Sequence, residues 1–89
     1  MNEAITEQRR VRTERLRWHS RRALLELDLV LQRFWARQPD NLGERQADEL
    51  ERLLAMEDHD LWELLSGRSD DAEPDLQGMV ALLRQPAGN

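Results

Sequence analysis

Apolar residues at 24, 27, 31 and 34 follow one another at spacings of three, four and three, which traces a continuous stripe along a helix. Leu25, Leu29, Val30 and Trp35 widen that stripe, so a helix over about Arg22 to Gln38 is expected to be central and buried on much of its circumference. Pro39, Asp40 and Asn41 end it, because the residue before a proline is driven out of the helical region. Upstream, a first helix from about Thr6 to Ser20 offers only Ile5, Val11, Leu16 and Trp18 among many arginines, a thin apolar face suited to the edge of a bundle.

Downstream, Gly43 is placed to N-cap a third helix, with Gln46 at the capping-box position and Ala47, Leu50, Leu53 and Leu54 as its core face, fading at about Glu57. Asp58 caps a short fourth helix, HDLWELLSG, in which Leu61, Leu64 and Leu65 point inward and Gly67 supplies the stop. An acidic loop, Ser69 to Glu73, leads to Pro74 in the first turn of a fifth helix carrying Leu76, Met79, Val80 and Leu83. Strand patterns are nearly absent. The fold expected is all-α: a compact antiparallel bundle of five helices in a single domain, with its core at about 6–85 and a frayed tail at 86–89.

Composition narrows the class. With 89 residues there is room for one core, and 39% hydrophobic against 35% charged residues is too apolar for a disordered chain. The longest apolar run, Met79 to Leu83, is five residues, far short of the roughly 20 that cross a bilayer. No membrane insertion is expected. The N-terminal stretch lacks an apolar signal segment and contains Glu3 and Glu7, so the mature chain is expected to be the whole chain, and cytoplasmic. Without cysteine there are no disulfides and no thiolate chemistry.

Charge is polarised. Residues 1–22 hold seven arginines and three glutamates, whereas the remainder holds six arginines and fifteen acids. That asymmetry points to a partner that meets one end of the molecule. All thirteen basic residues are arginine, which fits a GC-rich genome better than a demand for bidentate recognition.

Little in the chain supports catalysis. His19 and His59 stand in different helices without metal-ligand spacing and read as surface histidines, and the four glycines are isolated, so no phosphate loop can form. Asp58 and Asp60 are a carboxylate pair, but helix capping and the helix dipole account for them without acid–base chemistry. The arginine-rich first helix raises an alternative, a small nucleic-acid-binding regulator, against which Glu7, Glu14 and the acidic remainder weigh. Among the tryptophans, Trp35 reads as core, whereas Trp18 stands beside the charged segment as a partly exposed partner anchor.

The segment RRALLELDLV sets two arginines, a glutamate and an aspartate among leucines. If Arg22 lies on the helix, Arg22 and Glu26 share a face at i and i+4, but in the less favourable order for a local ion pair. Recognition of a partner is the stronger reason for such a mixture. The run WHSRRALLELDLVLQRFW resembles the core of the small bacterial FAD assembly factors for succinate dehydrogenase, whose mitochondrial relatives serve the same complex. That family carries an Arg-Gly-x-x-Glu motif within a longer arginine-arginine-glycine to glutamate-leucine-aspartate pattern. Here the pattern reads Arg21, Arg22, Ala23, Leu24, Leu25, Glu26, Leu27 and Asp28. A second signature, an acidic turn followed by an aromatic, reads Asp58, His59, Asp60, Leu61 and Trp62, and the resemblance runs from about Arg12 to Arg84. Ala23 departs from the family glycine, which argues against an obligatory positive φ there.

The resemblance implies a non-enzymatic assembly chaperone that binds the flavoprotein subunit of succinate dehydrogenase, or of fumarate reductase, and promotes covalent attachment of FAD to a histidine of that subunit. It implies no stably bound cofactor, since the FAD ends on the client, no nucleic acid, and a monomer when free. The partner-binding residues it implies are Arg22 and Glu26, flanked by Arg21, Ala23, Asp28 and Trp18, with Asp58, Asp60 and Trp62 extending the surface. Arg22→Ala and Glu26→Ala are then expected to lose client binding with the fold intact.

Overall fold

The stripe at Leu27, Leu31 and Phe34 becomes the centre of the core: none of the three exposes more than 1% of its surface in the computed structural model, which describes residues 3–37 and 42–85. They lie on α2 (Leu25–Arg37), one of five α-helices. The others are α1 (Glu3–His19), α3 (Glu44–Leu54), α4 (Asp58–Leu65) and α5 (Gln77–Arg84), the last preceded by a 3-10 turn at Pro74–Leu76. Helix α2 packs on α4 and α5, α1 packs on α3, and α5 touches both α3 and α4. One continuous cluster, with members on all five helices, is therefore the core. Among the described residues no helix is long and apolar enough to cross a membrane.

Element boundaries differ from the sequence expectation at the first junction. Helix α1 begins at Glu3, but α2 begins only at Leu25, leaving 20–24 as a non-helical corner. Arg22 and Glu26 therefore do not share a helical face. Leu25 and Leu29 do not widen the buried stripe either: they are 64% and 53% exposed, whereas Val30 and Trp35 are buried as expected. At about 100° per residue they stand roughly 160–200° from the centre of the 27/31/34 stripe, so a helix with one buried side must leave them outside. The expected stop at Pro39–Asn41 and the tail at 86–89 lie outside the described residues.

Gly43 is the N-cap of α3, without the side-chain bond a capping box would add. Glu57, not Asp58, is the N-cap residue of α4, and no side chain caps that helix. The Asp58 carboxylate is engaged elsewhere, with Arg22. Gly67 ends α4 at φ 85°, a conformation in which a side chain would be strained.

Three arginines close the C-terminal ends of three helices. Arg22 donates to the Leu54 carbonyl of α3 at 2.6 Å; Arg84 donates to Leu64 of α4 at 2.6 and 2.8 Å and to Ser69 at 3.1 Å. Arg37 donates to Leu82 and Gln85 at the end of α5, both at 3.1 Å. Terminal carbonyls lack intrahelical partners and carry the negative end of the helix dipole, so a planar cation with several donors is well matched to them. Lysine cannot fork in this way. At these positions arginine has a structural role beyond genomic composition.

Two buried hydroxyls fasten α1. Ser20 Oγ donates to the Leu16 carbonyl at 2.8 Å and accepts the Trp35 indole N–H at 2.9 Å, so the ring that fills the core is also oriented. Thr13 Oγ1 accepts the Leu42 amide at 3.2 Å. The Arg17 guanidinium lies 5.0 Å from the Trp35 ring centre, a cation–π contact that covers the indole from outside.

Candidate functional site: the corner between α1 and α2

The chain leaves α1 through hydrogen bonds from the Ser20 amide to the Arg17 carbonyl and from the Arg21 amide to the Trp18 carbonyl, both 3.2 Å. The helical ladder resumes with the Asp28 amide donating to the Leu24 carbonyl at 2.9 Å. Between these points the backbone amides need other partners, and Asp28 in the first turn of α2 supplies one. Its Oδ1 accepts the Arg22 amide at 2.9 Å, Arg21 Nε at 3.3 Å and Gln32 Nε2 at 3.5 Å. A carboxylate at a helix N-terminus also complements the dipole.

These contacts lower the Asp28 carboxyl below its ordinary value near 3.8, chiefly through the Arg22 amide, against desolvation that raises it; the charge and hydrogen bond of Arg21 and the Gln32 amide lower it further. A depressed carboxyl pKa stabilises the fold above the unfolded-state value and loses that contribution as pH falls through the lower folded value. The corner is therefore expected to loosen only below about pH 4. In an NMR titration, the Arg22 amide resonance should move with the Asp28 carboxyl on that acid limb, and Asp28→Asn should remove the transition. A resonance that stays fixed through the acid limb in the wild-type chain would mean that Asp28 does not hold the corner.

Arg22 turns inward. Its side chain is 15% exposed, and besides the Leu54 carbonyl it meets Asp58 Oδ1 at 3.2 Å. It thereby ties the α1–α2 corner to the α3–α4 junction. Arg21 points outward, with 67% of its side chain exposed beside Asp28. Ala23 is exposed, and no non-glycine residue among those described has a positive φ, so alanine fits the backbone here without strain. An alanine methyl remains the smallest side chain that a closely approaching partner could meet.

Besides Arg21, what the corner shows to solvent is apolar and acidic. Trp18 is 76% exposed, Leu25 and Leu29 lie one turn apart on the outer face of α2, and Gln32, three residues beyond Leu29, shares a cleft with Trp18 and Arg21. Glu26 is exposed, and its carboxylate has no hydrogen-bond or ion-pair partner among the described residues. The second acidic signature divides: Asp58 pairs with Arg22, Asp60 is exposed, and Trp62 is half-buried against the core. His19 and His59 are both exposed.

Thus the structure gathers Trp18, Arg21, Ala23, Glu26 and Asp28 at one corner and joins it to Asp58 through Arg22. Leu25 and Leu29 are the surface residues that the hydrophobic pattern misassigned, and their angular offset from the stripe was the available signal.

The sequence profile of the family described as flavinator of succinate dehydrogenase matches residues 14–87 of the chain. The chain is 40% identical over 74 residues to the FAD assembly factor SdhE of Mannheimia succiniciproducens, covering 83% of this chain and 86% of that protein. It is 42% identical over 76 residues to the FAD assembly factor SdhE of Methylococcus capsulatus, covering 83% and 89%. Against the protein of the same name from Pseudomonas putida, identity is 39% over 69 residues, covering 78% and 82%. No solved structure matches the chain.

Proposed function

The chain belongs to the family of flavinators of succinate dehydrogenase, and on that premise we propose that it is an assembly factor that binds the flavoprotein subunit of succinate dehydrogenase, or of fumarate reductase, and promotes covalent attachment of FAD to a histidine of that subunit. The observation that carries this reading is the corner between α1 and α2, where Trp18 stands exposed by Arg21 and Gln32, and Leu25 and Leu29 stand exposed on α2 with an unpaired Glu26. A small protein leaves large apolar groups in one place at a cost in solubility, and a rim of charge around them is the usual anatomy of a docking surface.

Within that surface the residues divide by role. Trp18, Leu25 and Leu29 supply contact area, while Glu26 and Arg21 supply charge complementarity and register. Arg22 and Asp28 are positioning residues, holding the corner in the shape the client meets. Asp60 extends the surface at the start of α4, and Trp62 backs it from the core side.

The contribution to the reaction is conformational. FAD belongs to the client, the chain acts as a monomer in the cytoplasm, and its binding favours the client conformer in which histidine and flavin ring are held in reactive geometry. Of the seven arginines in residues 1–22, only Arg9 and Arg15 lack an acidic, carbonyl or ring partner among the described residues, which favours a protein partner over nucleic acid.

The test is in-gel flavin fluorescence of the denatured flavoprotein subunit from cells lacking this protein, with and without complementation. Restoration of covalent fluorescence by the wild-type chain is expected. Equal fluorescence in the presence and absence of the protein would sink the proposal.

A further inference from the structure

A groove runs along the seam of α1 and α3, starting at the α1–α2 corner. Its inner part, about 610 Å³, is bordered by Trp18, Arg21 and Arg22. Its outer part, about 430 Å³, is bordered by Val11, Arg15 and His19, one helical turn apart in succession. The two parts share Leu16, His19 and Glu51, so they form one channel. From Glu7 to Trp18 along α1 the channel is about 17 Å long, room for roughly five residues of extended chain.

The charge of this channel opposes that of the molecule. The chain carries a net −5, yet the walls hold Arg12, Arg15, Arg21 and Arg22 against Glu7 and Glu51. Glu7 is engaged by Arg10 and Glu51 by Arg12 at 2.7 Å; Arg12 also meets Asp48, Arg21 meets Asp28 and Arg22 meets Asp58, so the charge left over in the wall is that of Arg15. Arg15 is exposed and has no partner among the described residues. Val11, 41% exposed, adds an apolar contact in the same wall. The outer wall also includes residues that precede position 14, where the family match begins.

We propose that this groove is a second docking element, continuous with the corner, which takes an extended acidic segment of the flavoprotein client. The proposal rests on the client assignment above. Arg15 is the specificity residue, pairing with a carboxylate of the segment, and Val11 receives a neighbouring apolar side chain. Placing the segment beside Trp18 lengthens the interface without new folding, because both walls are rigid helices.

The experiment measures affinity of the full-length chain for the purified flavoprotein subunit at low and high salt, for the wild type, Arg15→Glu, Val11→Asp, Glu26→Gln and, as a charge control on α3, Arg45→Glu. Circular dichroism checks that each variant is folded. Arg15→Glu is expected to weaken binding about tenfold at low salt, with the difference shrinking at high salt, and Arg45→Glu to leave it unchanged. A photoreactive residue in place of Val11 should crosslink to an acidic segment of the client.

If Arg15→Glu and Val11→Asp bind as the wild type does while Glu26→Gln is impaired, the groove proposal falls and the client assignment stands. If the wild-type chain does not bind the subunit, the client assignment itself falls and takes the groove's occupant with it. Sedimentation showing a wild-type dimer that Arg15→Glu dissociates would assign the groove to a second copy and overturn the proposal.

Discussion

Arg22→Ala is expected to melt about 15 °C below the wild-type chain and to lose flavinylation activity in proportion to its unfolding. The side chain is only 15% exposed and bridges the Leu54 carbonyl, at 2.6 Å, to Asp58, at 3.2 Å. Hydrogen bonds that involve a charged group each contribute about 1.5–3 kcal/mol, and removing one partner leaves the other desolvated. A loss of about 3 kcal/mol is therefore reasonable, and in a domain of this size each kilocalorie corresponds to about 4–8 °C. Arg22→Lys should fall between the two, because an ammonium retains the charge without the planar fork. Thermal denaturation followed by circular dichroism gives the stability, and in-gel flavin fluorescence at a permissive temperature gives the activity. Wild-type melting together with lost activity would mean that Arg22 contacts the client directly.

Glu26 should behave in the opposite way. Glu26→Arg is expected to lower the melting temperature by no more than about 8 °C, since the exposed side chain has no partner and what is lost is its favourable place in the first turn of α2, about 0.3–1 kcal/mol. Client binding should nevertheless weaken at least tenfold, because reversing a charge at a complementary interface replaces an attraction with a repulsion. Leu29→Asp should compound the loss by placing a charge in the apolar part of the same surface. Calorimetric titration against the flavoprotein subunit measures both. Retained affinity in the Glu26→Arg, Leu29→Asp double variant would move the docking surface away from the α1–α2 corner.

These opposite expectations show why the motif could not be resolved by inspection of RRALLELDLV. Arginine and glutamate four residues apart look like a pair on one helical face. Helix α2 starts three residues after Arg22, however, and the intervening corner turns one side chain into the molecule and leaves the other in solvent. No local propensity announces that boundary, which contains neither glycine nor proline. It is held by Asp28 and by Ser20, whose partners lie six and fifteen residues away. The corresponding stop at Gly67 was legible because a left-handed residue after α4 calls for glycine.

Asp58 shows the same division. An aspartate at the head of HDLWELLSG suits an N-cap on local grounds. In the structure it occupies the first helical position and takes Arg22 from 36 residues away. Leu25 and Leu29, by contrast, could have been placed outside from the sequence, since their angular offset from Leu27, Leu31 and Phe34 depends only on helical geometry.

By itself the sequence determined the helical class, the order of five helices and most of the core, including Trp35, because a 3.6-residue period records which side of each helix must leave water. It also carried the family pattern from Arg21 to Asp28. The tertiary structure alone decided that Arg22 braces the α1–α2 corner against the junction of α3 and α4, and that the groove from Trp18 to Val11 exists at all. Those features depend on where two helices cross and which distant carbonyl or carboxylate arrives at a side chain, and such meetings are set by packing, not by neighbours in the chain.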